Sequence, residues 1–409
     1  MTDHLVKKYS YINESDYENV KGPDWPNFHR FEKHLDVPKW VYDEIDLMLF
    51  QKEPFNHPSF CVLPWHGLEL GFDNESEKVC CLLEKDSNID KIKSDMKAGV
   101  KPSNCKKCWI LEENNQVSDR YLKNSALDFY TQKDLSFIMQ EADERKILML
   151  KLNTSYTCNG ACVYCDSNLS SYWNTIERKI DKTIPIKTYR YIDLDRVSRK
   201  VDLSNLINLT LLGGEPLLEK QNFQILQKLL DLGNDNVFIS VVTNASVNLS
   251  EPLRFMLSNF RNLNLTLSID GLDSVFNYQR WPLLWSDVVK NLEQYRTITD
   301  NISVSCTITN ITVMYYNEIC AWFKQQNLPW IPNPVYNPEV FHPSVLPLTA
   351  KQALKDVLEP EHYRSFIGDP DQDPGDTWLK FLNEIDRQDR AKGIDIRDYL
   401  PEFCKLVGI

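Results

Sequence analysis

The sequence predicts an α/β fold built on a parallel sheet. Apolar runs of strand length alternate with amphipathic helical stretches, the pattern of βα units. Polar and glycine residues gather at the C-terminal ends of several of those runs, the edge where parallel sheets and α/β barrels place their sites. The chain has 409 residues, 42% hydrophobic and 25% charged. That is ordinary for a soluble globular protein and enough for two or three domains with one large core.

Residues 1–55 are polar and aromatic, with Trp25, His29, His34 and Trp40 scattered among charges. They show no ligand spacing and are read as an extension covering part of the core. A small α+β module is placed over 56–125. In it, Cys61-Val62-Leu63-Pro64-Trp65 opens a strand-rich region and Val79-Cys80-Cys81-Leu82-Leu83 forms a second strand. Adjacent residues on a strand point to opposite faces, so one of Cys80 and Cys81 would ligate any shared metal. A helical stretch then leads to Cys105-Lys106-Lys107-Cys108, and a helical bridge covers 126–145.

The core is placed over 146–335. Strands are expected at Ile147–Leu152, Asn208–Leu212, Val237–Val242, Leu265–Ile269 and Ile302–Ile308. Helices are expected over Ser167–Glu177, around Phe223, Leu226, Leu229 and Leu230, around Val288, Val289, Leu292 and Tyr295, and near Glu318–Gln325. Six prolines between 328 and 347 are expected to exclude any regular element there. The tail, 336–409, is helical, with Trp378, Phe381, Leu382 and Ile385 on one helix face.

A net charge of −12 argues against a broad phosphate-binding surface, so no nucleic-acid partner is expected. The first residues contain no apolar signal segment, and no run approaches eighteen apolar residues. A cytoplasmic protein without a membrane partner is therefore expected. Eight of the eleven cysteines fall into two groups, which reads as metal binding rather than a disulfide framework. Cys306, Cys320 and Cys404 stand alone and are assigned no function.

The tighter group is Cys158, Cys162 and Cys165, at C-x3-C-x2-C spacing just after a strand. Three thiolates without a fourth cysteine or histidine in the next hundred residues suit a cluster with one metal left open. Zinc or three unrelated thiols are the competing readings. The other group, Cys61, Cys80, Cys105 and Cys108, can make a four-thiolate site for zinc or an iron–sulfur centre.

Cys158-Asn159-Gly160-Ala161-Cys162-Val163-Tyr164-Cys165 resembles the signature of the radical S-adenosylmethionine (radical SAM) family. Gly213-Gly214-Glu215-Pro216, Ser268-Ile269-Asp270-Gly271 and Asn277-Tyr278-Gln279-Arg280-Trp281-Pro282 resemble its later motifs, in the expected order. The resemblance spans roughly residues 60–320. It implies a partial (β/α)6 TIM-type barrel of the radical SAM kind, and a [4Fe–4S] cluster held by Cys158, Cys162 and Cys165. The cluster's open iron would bind S-adenosylmethionine. It further implies Tyr164 near the adenine, Gly213, Gly214 and Glu215 at the methionine amine, and Thr243 and Asn244 near the nucleoside. Ser268 and Asp270 would meet the cofactor and its ribose, and Arg280 its carboxylate.

The 56–125 block resembles the twitch (half-SPASM) module of that family, with Cys61, Cys80, Cys105 and Cys108 around an auxiliary iron–sulfur cluster. It departs in carrying Glu75 where the module has glycine, and in preceding the core. The resemblance implies an enzyme that cleaves S-adenosylmethionine reductively, with a flavodoxin or ferredoxin reductant. Its 5′-deoxyadenosyl radical would take a hydrogen from a peptide or protein side chain, or from a small molecule. The different-class alternative is a non-catalytic iron–sulfur or zinc scaffold. Lys101, Lys106 and Lys107 flank the auxiliary thiols and read as a solvated surface or a patch for an acidic electron donor.

Overall fold

The computed structural model describes residues 59–72, 77–83, 87–113, 118–121, 123–124, 146–187 and 191–409. The extension expected over 1–55, the bridge over 126–145 and Glu75 lie outside the described residues.

Eight strands form one open sheet. They are β1 (Gly67–Gly71), β2 (Glu77–Lys78), β3 (Met149–Asn153), β4 (Asn208–Leu212), β5 (Phe238–Thr243), β6 (Asn262–Ser268), β7 (Ile302–Ile308) and β8 (Trp330–Pro334). The order is β2-β1-β3-β4-β5-β6-β7-β8. All neighbours are parallel except β1 and β2. Strands β3 to β8 supply six parallel strands joined through helices, in keeping with a partial barrel. β1, from the N-terminal block, pairs directly with β3, Gly67 opposite Met149 through Gly71 opposite Asn153.

The strands are two-faced. Leu263, Leu265 and Leu267 of β6 are buried, as are Val304, Cys306 and Ile308 of β7, in the core under the helices. Each buried leucine contributes roughly 1.5–3 kcal/mol. Between them Asn264, Thr266 and Ser268, and Ser303, Ser305 and Thr307, face the other way and are half-buried. One row of that polar face runs Glu69, Lys151, Thr210, Ser240, Asn264 across five registered strands. Glu69, Lys151 and Thr210 line a cavity of about 230 Å³ there. Period-two alternation keeps one side of the sheet wet while helices cover the other.

Three expectations are corrected. Leu63–His66 is a helical turn, because Pro64 sits in its first turn, where a fixed φ and a missing N–H cost nothing. The strand starts only at Gly67, whose added Cβ would lie 2.7 Å from the Val79 carbonyl oxygen. Val79–Leu83 is a turn, with the Leu82 N–H donating to Cys80 Sγ at 3.4 Å. Strand alternation therefore does not separate the two cysteines. Finally, Trp330–Pro334 is a strand despite its prolines. Val335 donates to the Ile308 carbonyl and the Pro329 carbonyl accepts from Val304, so odd-numbered residues face β7. Pro332 and Pro334 face the open edge, where no ladder donor is missed.

Candidate active site

The loop after β3 carries Cys158, Cys162 and Cys165 and is tied down on three sides. The Gly214 and Glu215 N–H groups donate to the Ser155 and Thr157 carbonyls at 3.1 and 2.7 Å. This contact explains the glycines: a Cβ on Gly214 would sit 2.3 Å from the Thr157 oxygen, and Gly213, at φ +142°, would place one 2.6 Å from the Ser155 oxygen. On the second side, Ala161 and Val163 donate to the Trp281 and Gln279 carbonyls at 2.7 and 2.9 Å. On the third, Ser170 caps the helix Ser171–Ile180 and donates to the Gly160 carbonyl at 2.6 Å. Trp173 Nε1 donates to the Cys162 carbonyl at 2.8 Å.

Burial pushes the Cys158 thiol up to about 11, and Cys162 adds to the shift. Burial, then Cys162 and Cys158, raise Cys165. The three thiols thus share one electrostatic environment. Burial also raises Cys162, while Arg280 opposes it, one Nη lying 3.9 Å from Cys162 Sγ.

Two networks surround the loop. In the first, Arg280 Nε donates to Asp270 Oδ2 at 2.6 Å and its other Nη to the Tyr164 hydroxyl at 2.7 Å. Tyr164 in turn donates to Asp270 Oδ2, and the Thr307 N–H donates to Oδ1 at 2.7 Å. Burial works against the Arg280 charge, but Asp270, Tyr164 and Cys162 outweigh it and hold the guanidinium well above its ordinary value. In the second network, Glu215 accepts from Thr243 Oγ1 (2.7 Å), the Asn244 N–H (2.6 Å) and the Leu217 N–H (3.1 Å). Asn244 Nδ2 donates to Asn159 Oδ1 at 2.8 Å, returning to the cysteine loop. Ser268 ends β6 and makes no side-chain hydrogen bond among the described residues.

The radical SAM superfamily model matches residues 152–324. This stretch is a radical SAM domain. Curated proteins yield no match. Among solved structures the chain is similar to native anSMEcpe with bound AdoMet, at 22% identity over 46% of this chain and 52% of that one, TM-score 0.35. It is also similar to anSMEcpe with bound AdoMet and Cp18Cys peptide (21%, 46% and 52%, TM-score 0.35). A third is Streptococcus suis SuiB (14%, 75% and 68%, TM-score 0.36). The chain spans about half the length of the anSMEcpe structures it matches.

The radical SAM superfamily implies a [4Fe–4S] cluster and S-adenosylmethionine. Cys158, Cys162 and Cys165 offer three thiolates on one loop, a soft donor set of the kind iron–sulfur clusters take. Tetrahedral zinc at ~2.3 Å from each sulfur needs sulfurs roughly 3.8 Å apart. Among the described residues, the group of three ligand atoms that lies within 4.8 Å of one another is Cys80, Cys81 and Asp119, and none of the loop thiols belongs to it.

The N-terminal thiols sit beside the radical SAM domain. Cys61, Cys80, Cys105 and Cys108 line one pocket together with Lys107 and Arg120. Cys81 does not line it, and faces instead the cavity that holds Glu69 and Lys151. Burial raises Cys61, and Cys108 and Cys105 raise it further, as neighbours around one space do. Lys106 and Lys107 are exposed, while Lys101 lies 5.4 Å from the Trp109 ring centroid and 3.8 Å from Glu113.

Several supporting residues carry no local sequence signal. Gln279 is fully buried and donates to the Asp270 carbonyl (2.8 Å) and Thr312 Oγ1 (2.6 Å). Gln388, 225 positions away, donates to the Val163 carbonyl at 2.8 Å. Asn159 was within reach of sequence reading, being a polar residue inside the cysteine loop.

Glu215 gives a pH prediction. Burial pushes its carboxyl from 4.5 up to about 7, against its three donors. An acid that holds its proton more tightly when folded contributes stability that is complete below about pH 4.5 and lost as pH rises through about 7. Glu215→Gln lacks that loss. Its stability relative to wild type rises by about 2–3 kcal/mol between pH 4.5 and 8. Urea midpoints across that range check this, and parallel curves for the two proteins would refute it.

Proposed function

We propose that this protein is a radical SAM enzyme that cleaves S-adenosylmethionine reductively and abstracts hydrogen from a polar substrate, a peptide or protein side chain in the first instance. The observation that carries the reading is a single loop at the C-terminal edge of six parallel strands, presenting three cysteines with a buried guanidinium 3.9 Å from the Cys162 sulfur. Cys158, Cys162 and Cys165 would hold the core [4Fe–4S] cluster. When bound, that cluster and S-adenosylmethionine supply electron transfer to the sulfonium and a hydrogen-abstracting 5′-deoxyadenosyl radical.

The chain's own residues bind and orient. Gly213 and Gly214 let β4 approach the cysteine loop backbone to backbone, and Glu215 locks β4 to β5 through Thr243 and Asn244. Ser268, at the end of β6 without a protein partner among the described residues, is left for cofactor contact. Arg280 holds positive charge against Cys162, offsetting anionic sulfur where water is scarce. The polar sheet face, with Lys151 3.6 Å from Glu69, offers donors and acceptors of the kind a peptide segment uses. Cys61, Cys80, Cys105 and Cys108 would hold an auxiliary cluster, and a flavodoxin or ferredoxin would supply electrons.

The test is anaerobic reconstitution, then dithionite and S-adenosylmethionine, with 5′-deoxyadenosine read by chromatography. We expect 5′-deoxyadenosine and about eight irons with matching sulfide per chain, as two [4Fe–4S] clusters require. Zinc in place of iron, with no 5′-deoxyadenosine, would establish the scaffold reading instead.

A further inference from the structure

We propose that Lys392, brought to the cysteine loop by the helix Asp376–Lys392, is a positioning residue whose charge raises the reduction potential of the core cluster. The inference rests on the radical SAM reading above. The helix belongs to the tail, outside the stretch that matches the superfamily model. Its last two turns nevertheless seat against the loop. Gln388 Nε2 donates to the Val163 carbonyl at 2.8 Å, and Gln388 Oε1 accepts from Lys392 Nζ at 2.9 Å. Gln388 thereby links Lys392 to the backbone beside Cys162. Lys392 Nζ also lies 4.8 Å from the centroid of the Trp173 ring, and that indole donates to the Cys162 carbonyl. Two routes from one ammonium therefore end on consecutive carbonyls, those of Cys162 and Val163.

Lys392 is 6% exposed. Its ammonium has a side-chain amide and an aromatic face as direct partners, and no carboxylate within 4 Å among the described residues. Burying an ammonium without an ion pair is costly, so such a charge implies negative charge nearby. Burial pushes the ammonium down from 10.5 to about 8, still charged at neutral pH, while Cys162, then Asp389 and Glu384, favour the charge and Arg387 opposes it. A ligating thiolate with a cluster gaining an electron is the anionic centre this position faces. Net charge and the hydrogen bonds around the sulfurs are the protein's levers on cluster potential. With Arg280 at Cys162 Sγ and Lys392 linked through Gln388 and Trp173 to the Val163 and Cys162 carbonyls, two buried cations favour the reduced state. The simpler role, a lysine stem packed on tryptophan, predicts no change in potential when the charge alone is removed.

The test is the midpoint potential of the cluster whose EPR signal changes on adding S-adenosylmethionine, in the full reconstituted chain. Lys392→Met keeps the apolar stem and removes the charge; Lys392→Gln is a second neutral variant should the first load iron poorly. Both should disfavour reduction by about tenfold at fixed poise, a shift of ~59 mV for one electron. Lys392→Arg should stay near wild type. Neutral variants with the wild-type midpoint, or an arginine variant shifted as far as they are, would overturn the inference. A wild-type protein with no S-adenosylmethionine-responsive signal would instead overturn the reading on which it rests.

Discussion

Cys162→Ala is expected to abolish the proposed 5′-deoxyadenosine formation. Of the three loop thiols, Cys162 has the most determined surroundings. The Trp173 indole holds its carbonyl, Ala161 and Val163 on either side are bonded to the 279–281 segment, and Arg280 faces its sulfur. Each thiolate would ligate one iron, so the variant would leave one iron of the proposed cluster without its protein ligand, and no other cysteine lies close in sequence to substitute. The loss should exceed the roughly 10–100-fold that removing an outer supporting contact costs at a metal site. Bound iron should fall by about half, from about eight to about four, if each [4Fe–4S] cluster loads independently. The fold should survive, because the loop's backbone bonds to 213–215 and 279–281 do not involve the side chain. A variant that cleaves S-adenosylmethionine as fast as wild type would end the assignment.

Arg280→Met is expected to be the most destabilising single change near the site. Arg280 and Asp270 form an ion pair at 2.6 Å, with side chains 7% and 0% exposed. Removing the cation leaves a carboxylate in the core with, among the described residues, the Thr307 N–H and the Tyr164 hydroxyl as partners of its side chain. Breaking a buried pair in this way costs about 3–5 kcal/mol. The same substitution removes positive charge from Cys162, so the cluster should also become harder to reduce. A second substitution, Asp270→Asn, removes the stranded charge and should recover much of the stability and part of the reducibility, because the Asp270 carboxylate also acts on Cys162. Urea unfolding of the two single variants and the double variant measures the coupling. Additive losses would show that the pair does not act as a unit.

By family resemblance, Asp270 would meet a ribose and Arg280 a ligand carboxylate. The structure gives Asp270 a fully internal set of partners and engages Arg280 with Asp270, Tyr164 and Cys162. These four residues come from three segments, Cys162 and Tyr164 sharing the cysteine loop, and sequence spacing carries no record that the three segments meet. Glu215 is similar. Its motif is legible, but that Thr243 and Asn244 hold it follows from β4 lying beside β5.

The sequence by itself determined the βα alternation, five of the six core strands and the three-thiol loop, because periodicity and ligand spacing are local properties of the chain. It also singled out both glycines. Tertiary structure decided the rest. The sixth strand survives its prolines because it lies at an open edge, where a missing N–H breaks no ladder. Cys80 rather than Cys81 shares a pocket with Cys61, Cys105 and Cys108 because of how a turn is folded, not because of strand alternation. Lys392 reaches the cysteine loop from the far end of the chain because the tail helix docks there. Contacts over such separations are fixed by burial and charge compensation in the folded core, and no local pattern encodes them.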